Sequence, residues 1–302
     1  MTKKSVIGLL FLALIIFLAE SIGQNYDDEY DVPFVPTRYE IVDQMLEIAD
    51  VGGDDILYDL GCGDGRIVIT AAKKFGTHGI GIDINPIRIG ESKENAINEG
   101  VTDKVRFIEL DLFMADISEA TVVSLYLLPS VNLKLRPKLF HELKPGTRIV
   151  SHDFDMGEWE PDQSLGENDN NFDFDNHTVY FWILPANVSG TWELEMSART
   201  DKKVYSMHLD QKFQDVDGNL TFGGSSVPIS IITIKGDKLQ FTIEEKIGDQ
   251  NIARMFKGQV KDNLIEGTVV SKARTTSDET SWIAKRDPST IIPLDVADSD
   301  SQ

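Results

Sequence analysis

One cysteine, Cys62, is all the thiol that the 302 residues contain, so the chain closes no internal disulfide and builds no zinc–cysteine cluster. A metal would need oxygen or histidine ligands. The five histidines offer His152 no partner at metal-ligand spacing, and no metal is expected. Basic residues are scarce: 29 Lys and Arg stand against 50 Asp and Glu, a net charge of −21. A surface of that sign repels phosphate backbones, which argues against nucleic-acid binding and for a cationic or neutral partner. Long apolar runs are lacking except at 6–19, where fourteen residues reach only about 21 Å against a hydrocarbon core of roughly 30 Å. With Lys3 and Lys4 before this run and Ser21 and Gly23 after it, residues 1–23 read as a signal peptide or a membrane anchor. The expected location is therefore exported or membrane-anchored, with membrane association possible through 6–19.

Composition is otherwise that of an ordinary globular chain, 41% hydrophobic and 26% charged. Thr37 and Glu40 form a T-x-x-E capping box, and Ile41, Val42, Met45, Ile48 and Ala49 recur at helical spacing behind it. Short β-rich runs at 56–60, 79–84, 105–111, 121–128 and 147–154 come next. Helical patterns stand between them at 66–75 and 86–99, and before the last at 137–143. Strands separated by single helices make right-handed crossovers and a parallel sheet buried on both faces, a doubly wound α/β fold. The stretch from Asp153 to Asp175 holds nine acids and no Lys or Arg and reads as a solvated loop. Residues 178–184 then read as one more strand, the antiparallel edge of the same sheet.

After Pro185 the periodicity becomes two. Trp192, Leu194 and Met196 alternate with polar residues, as do Tyr205, Met207 and Leu209. Turn signals stand at Asp217-Gly218-Asn219, Gly223-Gly224, Gly236-Asp237, Gly248-Asp249, Asp262-Asn263 and Gly267. They imply a small all-β antiparallel barrel over 186–286, preceded by an α/β domain over 24–185 and trailed by an acidic, disordered tail over 287–302.

Chemistry concentrates at Asp59-Leu60-Gly61-Cys62-Gly63-Asp64-Gly65, between one strand and one helix. Glycines there let the backbone approach a ligand at a helix N-terminus. Asp83 ends the second strand, where a ribose diol needs an acceptor, and Asp111 ends the third, where an adenine amino group needs one. The spacing is G-x-G-x-G rather than the dinucleotide G-x-G-x-x-G. An acid two residues before the first glycine disfavours a pyrophosphate and suits a cationic ligand such as S-adenosyl-L-methionine. Cys62 reads as a small buried residue of this loop.

Over about 33–155 these elements resemble the class I, seven-strand methyltransferases, which implies a Rossmann-like sheet. Pro33-Phe34-Val35-Pro36-Thr37, the run 59–66, Asp111-Leu112-Phe113, Leu128-Pro129-Ser130 and Leu133-Lys134-Leu135-Arg136-Pro137-Lys138-Leu139 are similar to the lysine methyltransferases of the ATP synthase c subunit and the adenine nucleotide translocase, and to their prokaryotic relatives. The resemblance implies that Pro36 and Thr37 close over the methionine end of the cofactor. It assigns Asp59, Gly61, Gly63, Gly65, Asp83, Ile84, Asp111 and Leu112 to cofactor binding. Leu128, Pro129 and Ser130 are then expected to line the amine site, with backbone carbonyls of Leu128 and Ser130 orienting it and Tyr126 and His152 on its wall. One departure is that neither Asn nor Asp precedes Pro129. Val188-Ser189-Gly190-Thr191-Trp192 and Ser281-Trp282 through Arg286 look like the opening and closing of lipocalin-like barrels. The function expected is N-methylation of a protein lysine. The alternatives are a small amphipathic acceptor held by the barrel, or a cofactor-binding protein without catalysis.

Overall fold

A computed structural model of the chain describes residues 34–166, 177–196, 203–247, 250–272 and 277–294. Helix α1 (Tyr39–Ile48) buries Val42, Met45 and Leu46, the spacing read from the sequence. Its start differs from the capping-box reading. Arg38, not Thr37, stands at the N-cap and makes no side-chain cap, and the Thr37 hydroxyl lies instead 3.2 Å from His152 Nδ1, 115 residues along the chain.

Strand β1 (Ile56–Leu60), helix α2 (Arg66–Phe75), strand β2 (His78–Asp83) and helix α3 (Pro86–Glu99) fall where the pattern places them. Asn85 caps α3 by accepting from the Ile87 N–H at 2.9 Å, with Pro86 as its first residue. Strands β3 (Val105–Glu109), β4 (Val122–Leu125) and β5 (Arg148–His152) complete the parallel set. Between the last two, α4 (Pro129–Glu142) is twice as long as the predicted 137–143 and carries Pro137 in its interior. The proline removes one bond, to the carbonyl of Leu133, and the rest of the helix carries through.

The first sheet runs β3-β2-β1-β4-β5-β7-β6. Strand β7 (Val179–Ile183) pairs antiparallel with β5 as expected, but it is not the edge. Strand β6 (Gln163–Leu165), drawn from the acidic stretch read as a loop, lies outside it. A three-residue polar edge strand held by backbone pairing alone leaves no alternation to read.

The second sheet contains β8 (Gly190–Met196), β9 (Lys203–Lys212), β10 (Asp215–Phe222), β11 (Ser225–Pro228), β12 (Ser230–Lys235), β13 (Lys238–Ile247), β14 (Gln250–Lys261), β15 (Leu264–Lys272) and β16 (Ser277–Arg286). Pairing follows chain order except that β11 and β12 form the two ends of the sheet and β16 returns to β8, giving a nearly closed antiparallel barrel. Its inward residues form one core. Phe241 and Phe256 stack at 4.4 Å, and Trp282 meets both edge-on at 5.8 and 5.5 Å. Two turn readings are corrected here: Gly218 lies inside β10 opposite Leu209, and Gly267 lies inside β15 opposite Gly258. A Cβ at Gly267 would strike the Lys257 carbonyl, so glycine serves close backbone approach rather than a bend. Gly236-Asp237 and Asp262-Asn263 are two-residue hairpin loops, whereas the signal at Gly248-Asp249 lies outside the described residues.

The expected disorder from residue 287 is also corrected. Pro288–Thr290 forms a 3₁₀ turn whose Thr290 hydroxyl accepts from the Thr191 N–H at 2.9 Å, and the Ile292 N–H reaches Ser189 Oγ at 3.0 Å. Residues 295–302 lie outside the description, as do residues 1–23. The expected exported or membrane-anchored location finds no support in the fold: no helix among the described residues is long and apolar enough to cross a membrane.

The two sheets meet at Phe213, in the β9–β10 turn. Its ring lies 5.7 Å from Phe140 and 6.1 Å from Trp159, inside the core that β1, β4, β5 and α4 share. The Ala186 N–H donates to the Gly236 carbonyl at 2.8 Å beside it. Phe213→Ala is expected to destabilise the full chain by about 3 kcal/mol, with Phe213→Leu costing less. Denaturant midpoints read by tryptophan fluorescence check this, and an unchanged midpoint would deny that the ring joins the halves.

Candidate active site

The loop after β1 turns left-handed at Gly61, Gly63 and Gly65, with φ of 84°, 52° and 79°. At Gly63 a side chain is excluded twice, by the dihedral and by the Phe34 ring that occupies the place of a Cβ. The loop's amides are claimed by the neighbouring strand. Gly61 and Cys62 N–H groups donate to the Ile82 carbonyl at 2.8 and 2.9 Å, and the Gly63 N–H donates to Asp83 Oδ2 at 2.8 Å. The other Asp83 oxygen accepts from the Asn85 N–H at 2.9 Å. Asp111 accepts from the Phe113 N–H at 2.9 Å at the start of the 3₁₀ turn Leu112–Met114, and Ile84 stands half-exposed beside it. Asp59, Asp83 and Asp111 therefore gather at the carboxyl ends of adjacent parallel strands, as expected.

Asp59 is buried and accepts from Ser124 Oγ at 2.8 Å. Burial pushes its carboxyl up to about 7; the Ser124 hydrogen bond opposes this, and the charges of Asp83 and Asp64 add to it. Burial likewise pushes the Cys62 thiol well up, which fits a packing residue and not a nucleophile. Arg66 grips Asp64 through its Nε and Nη2 and donates through Nη1 to the Thr37 carbonyl at 2.8 Å. The Arg88 guanidinium lies 3.9 Å over the Phe34 ring. These two arginines hold the segment Phe34 to Thr37, Pro36 included, across the glycine loop. Neither was singled out by its sequence position.

At the end of β5, His152 is buried against Tyr126, ring centroids 4.0 Å apart. Its Nδ1 faces Thr37 Oγ1, and its Nε2 lies 3.0 Å from His177 Nδ1, which in turn lies 3.0 Å from Asp153 Oδ2. Burial lowers the His152 imidazole to about 4, with Asp153 opposing and His177 reinforcing that shift. His177 escapes sequence reasoning, since only the pairing of His152 with Val179 brings it here. Leu128 caps α4, half-buried, and Pro129 and Ser130 are exposed at its first turn. The Leu128 carbonyl, expected to orient an incoming amine, accepts from the Val131 and Asn132 N–H groups at 2.9 and 3.1 Å. Asn132 does not replace an amide before Pro129, because its Nδ2 is turned onto the carbonyls of Phe154 and Asp155 at 3.2 Å.

A family model described as the ANTKMT methyltransferase domain matches residues 59–163. A protein-lysine N-methyltransferase of Saccharolobus islandicus is 51% identical over 154 residues, covering 51% of this chain and 94% of that protein. The ATP synthase c-subunit lysine N-methyltransferase of Homo sapiens is 33% identical over 136 residues, 45% of this chain and 58% of that one. Among solved structures, an RNA methyltransferase from Salinibacter ruber in complex with S-adenosyl-L-homocysteine shares 56% identity, covering 51% of this chain and 96% of that chain with a TM-score of 0.48. Strand order, glycine loop and strand-end acids are those of a class I methyltransferase. Within that class the chain belongs to the protein-lysine N-methyltransferase family. The match to the Saccharolobus islandicus protein over 94% of its length also overturns the exported or anchored location.

Asp59 makes the ligand-free protein sensitive to pH. Its folded value near 7 lies above the ordinary 3.8, so between these values the folded chain keeps a proton that the unfolded chain has lost. The Asp59 contribution to stability is then most favourable below pH 3.8 and is lost as pH rises to about 7, by roughly 4 kcal/mol at most. Asp59→Asn is expected to gain on the wild type across that window. Midpoints of unfolding taken across it test the sign, and a difference that does not change with pH would place the titration elsewhere.

Proposed function

We propose that the chain transfers a methyl group from S-adenosylmethionine to the ε-amine of a protein lysine. The observation that carries this reading is the family's methyltransferase half, with Asp59, Asp83 and Asp111 set around a glycine loop at the carboxyl ends of the parallel strands, where a doubly wound sheet takes its ligand. The residues fit the cofactor: the Gly63 and Asn85 amides orient the two oxygens of Asp83, and a buried acid balanced near neutrality favours a cationic ligand. When bound, the cofactor supplies a methyl group activated on a sulfonium.

Asp83, its two oxygens oriented by the Gly63 and Asn85 amides, offers the paired acceptors that a ribose diol needs. Asp111 takes the adenine amino group, with Ile84 and Leu112 beside the ring. Pro36 and Thr37 cover the methionine end, held by Arg66. Tyr126 and His152 form the wall of the acceptor site, and Leu128, Pro129 and Ser130 form its lip. A lysine of ordinary pKa is only about 0.1% neutral near pH 7.4, so the site's task is to desolvate the amine and hold it in line with the methyl carbon. Asp153 and the acids after it draw a cationic substrate toward this lip. We also propose the division into a methyltransferase domain over 24–185 and a lipocalin-like barrel over 186–286. Supporting the second is the Arg286 guanidinium, 4.7 Å over the Trp192 ring, which links the closing strand to the opening G-x-W.

Methyl transfer from labelled S-adenosylmethionine to a lysine-rich protein, with RNA offered in parallel, tests the acceptor. Label on RNA alone would overturn the lysine reading. Asp83→Ala is expected to weaken cofactor binding about 10- to 100-fold, equivalent to roughly 1.5 to 3 kcal/mol, in a protein that circular dichroism shows folded. An unchanged dissociation constant removes Asp83 from the site. On a lysine peptide the rate is expected to rise with pH toward about 9 and to fall with added salt. A rate flat in pH, with chemistry limiting, would point to an acceptor that needs no deprotonation.

A further inference from the structure

His152, Asp153 and His177 offer three ligand atoms to one point. His152 Nε2 and His177 Nδ1 are 3.0 Å apart, His177 Nδ1 and Asp153 Oδ2 are 3.0 Å apart, and His152 Nε2 and Asp153 Oδ2 are 3.4 Å apart. In the tautomer with a proton on His152 Nδ1 facing Thr37 Oγ1, His177 Nδ1–H is the one donor inside the triangle, shared between His152 Nε2 and the Asp153 carboxylate. Ligand atoms around a first-row transition ion stand at this kind of separation. A point about 2.0–2.1 Å from all three lies ~1 Å out of their plane, as for a metal capped on one face by three ligands.

We infer that His152, Asp153 and His177 form a binding site for a divalent first-row transition metal ion, beside the acceptor wall but separate from the cofactor loop. Two imidazoles and one carboxylate select zinc, cobalt or nickel over magnesium or calcium, which prefer all-oxygen sites. Outer partners are in place. Thr37 Oγ1 stands 3.2 Å from His152 Nδ1, the Thr178 N–H donates to Asp153 Oδ1 at 3.0 Å, and Tyr126 Oη lies 3.5 Å from Asp153 Oδ2. The ion replaces the shared proton, which moves from His177 Nδ1 to Nε2 by tautomer exchange, so that no proton is lost overall. Three protein ligands leave further positions for solvent or a small ligand. The ion also adds the His177 side chain to the tie between the end of β5 and the lead-in of β7, where the Asp153 N–H already donates to the Thr178 carbonyl at 2.7 Å.

The test uses the untagged full chain, stripped with a chelator and titrated with zinc or cobalt against a chromophoric competitor. One equivalent is expected to bind and to raise the melting temperature, with magnesium doing neither. His177→Ala, at a half-buried position, and the isosteric Asp153→Asn are each expected to weaken binding by at least about a hundredfold, because loss of even an outer partner costs about 10- to 100-fold. His208→Ala, at an exposed histidine in the barrel, is expected to bind as the wild type does. The cobalt form should show d–d absorption of a nitrogen and oxygen ligand set, lost in both site variants. Absence of binding or of a melting shift in the wild type overturns the assignment. So does binding that survives both substitutions, and a melting shift equal for magnesium and zinc overturns the metal selectivity.

Discussion

The carboxylate of Asp83 orders the ligand end of the first sheet. One oxygen accepts the Gly63 amide from the loop after β1, the other accepts the Asn85 amide from the loop after β2, and the residue's own carbonyl accepts the Leu110 amide from the loop after β3. Three consecutive loops are thus fixed by one residue, and Asn85 passes the restraint on by capping α3. Losing the carboxylate would leave the amide of a buried glycine without its partner, at a cost of about 1–3 kcal/mol. It would also free the left-handed turn on which Phe34 lies. The acid has a structural task before any ligand arrives, and the two amides that perform it also set the orientation of its oxygens.

Local signals told the truth wherever local forces decide. Helices α2 and α3 begin and end at their predicted residues because left-handed glycines, Gly65 and Gly76, bound one, while Asn85-Pro86 and Gly100 bound the other. The glycine loop and its strand-end acids were legible for the same reason, since their dihedrals and their place after a strand are written in a short stretch. Thr37 shows the opposite case. Its T-x-x-E spacing is a genuine capping pattern, yet its hydroxyl lies instead against a buried histidine on another strand. Gly218 and Gly267 show it too, because a glycine chosen for close contact between strands is spelled like a glycine chosen for a turn. His177 had no local signal at all. Its meaning depends on antiparallel pairing of β5 with β7, which no window around it contains.

The C-terminal sheet contributes more than an appended core. Phe213 crosses from its hairpin into the cluster of Trp159, Trp182 and Phe140, and the Arg136 guanidinium lies 5.0 Å over the same ring from the acceptor-side helix α4. Arg136 also donates to the Met156 carbonyl at 2.8 Å, in the acid-rich connection after Asp153. Arg286 works within the second sheet in the same manner, donating to the carbonyls of Asn187, Ser189 and Asp262 while its face covers Trp192. Planar guanidinium groups suit such places because they satisfy several carbonyls and stack on a ring at once. Through Phe213 and Arg136 the position of the barrel bears on the helix whose first turn forms the proposed lip.

Charge completes the logic of the site. Asp59, Asp64, Asp83, Asp111 and Asp153 converge on one end of the sheet, and Arg66 and Arg88 there are turned onto Asp64, Thr37 and Phe34. Like charges and burial together raise Asp59 toward neutrality, so the ligand-free protein stores part of this repulsion as a bound proton. A ligand that brings positive charge to the loop favours the ionised carboxylate and releases that proton, which couples binding to stability in the same direction. A neutral or anionic ligand has no such effect. The excess of acids that argues against phosphate backbones on composition thus reappears at the site as a preference for a cation, both in the cofactor and in the lysine that approaches it.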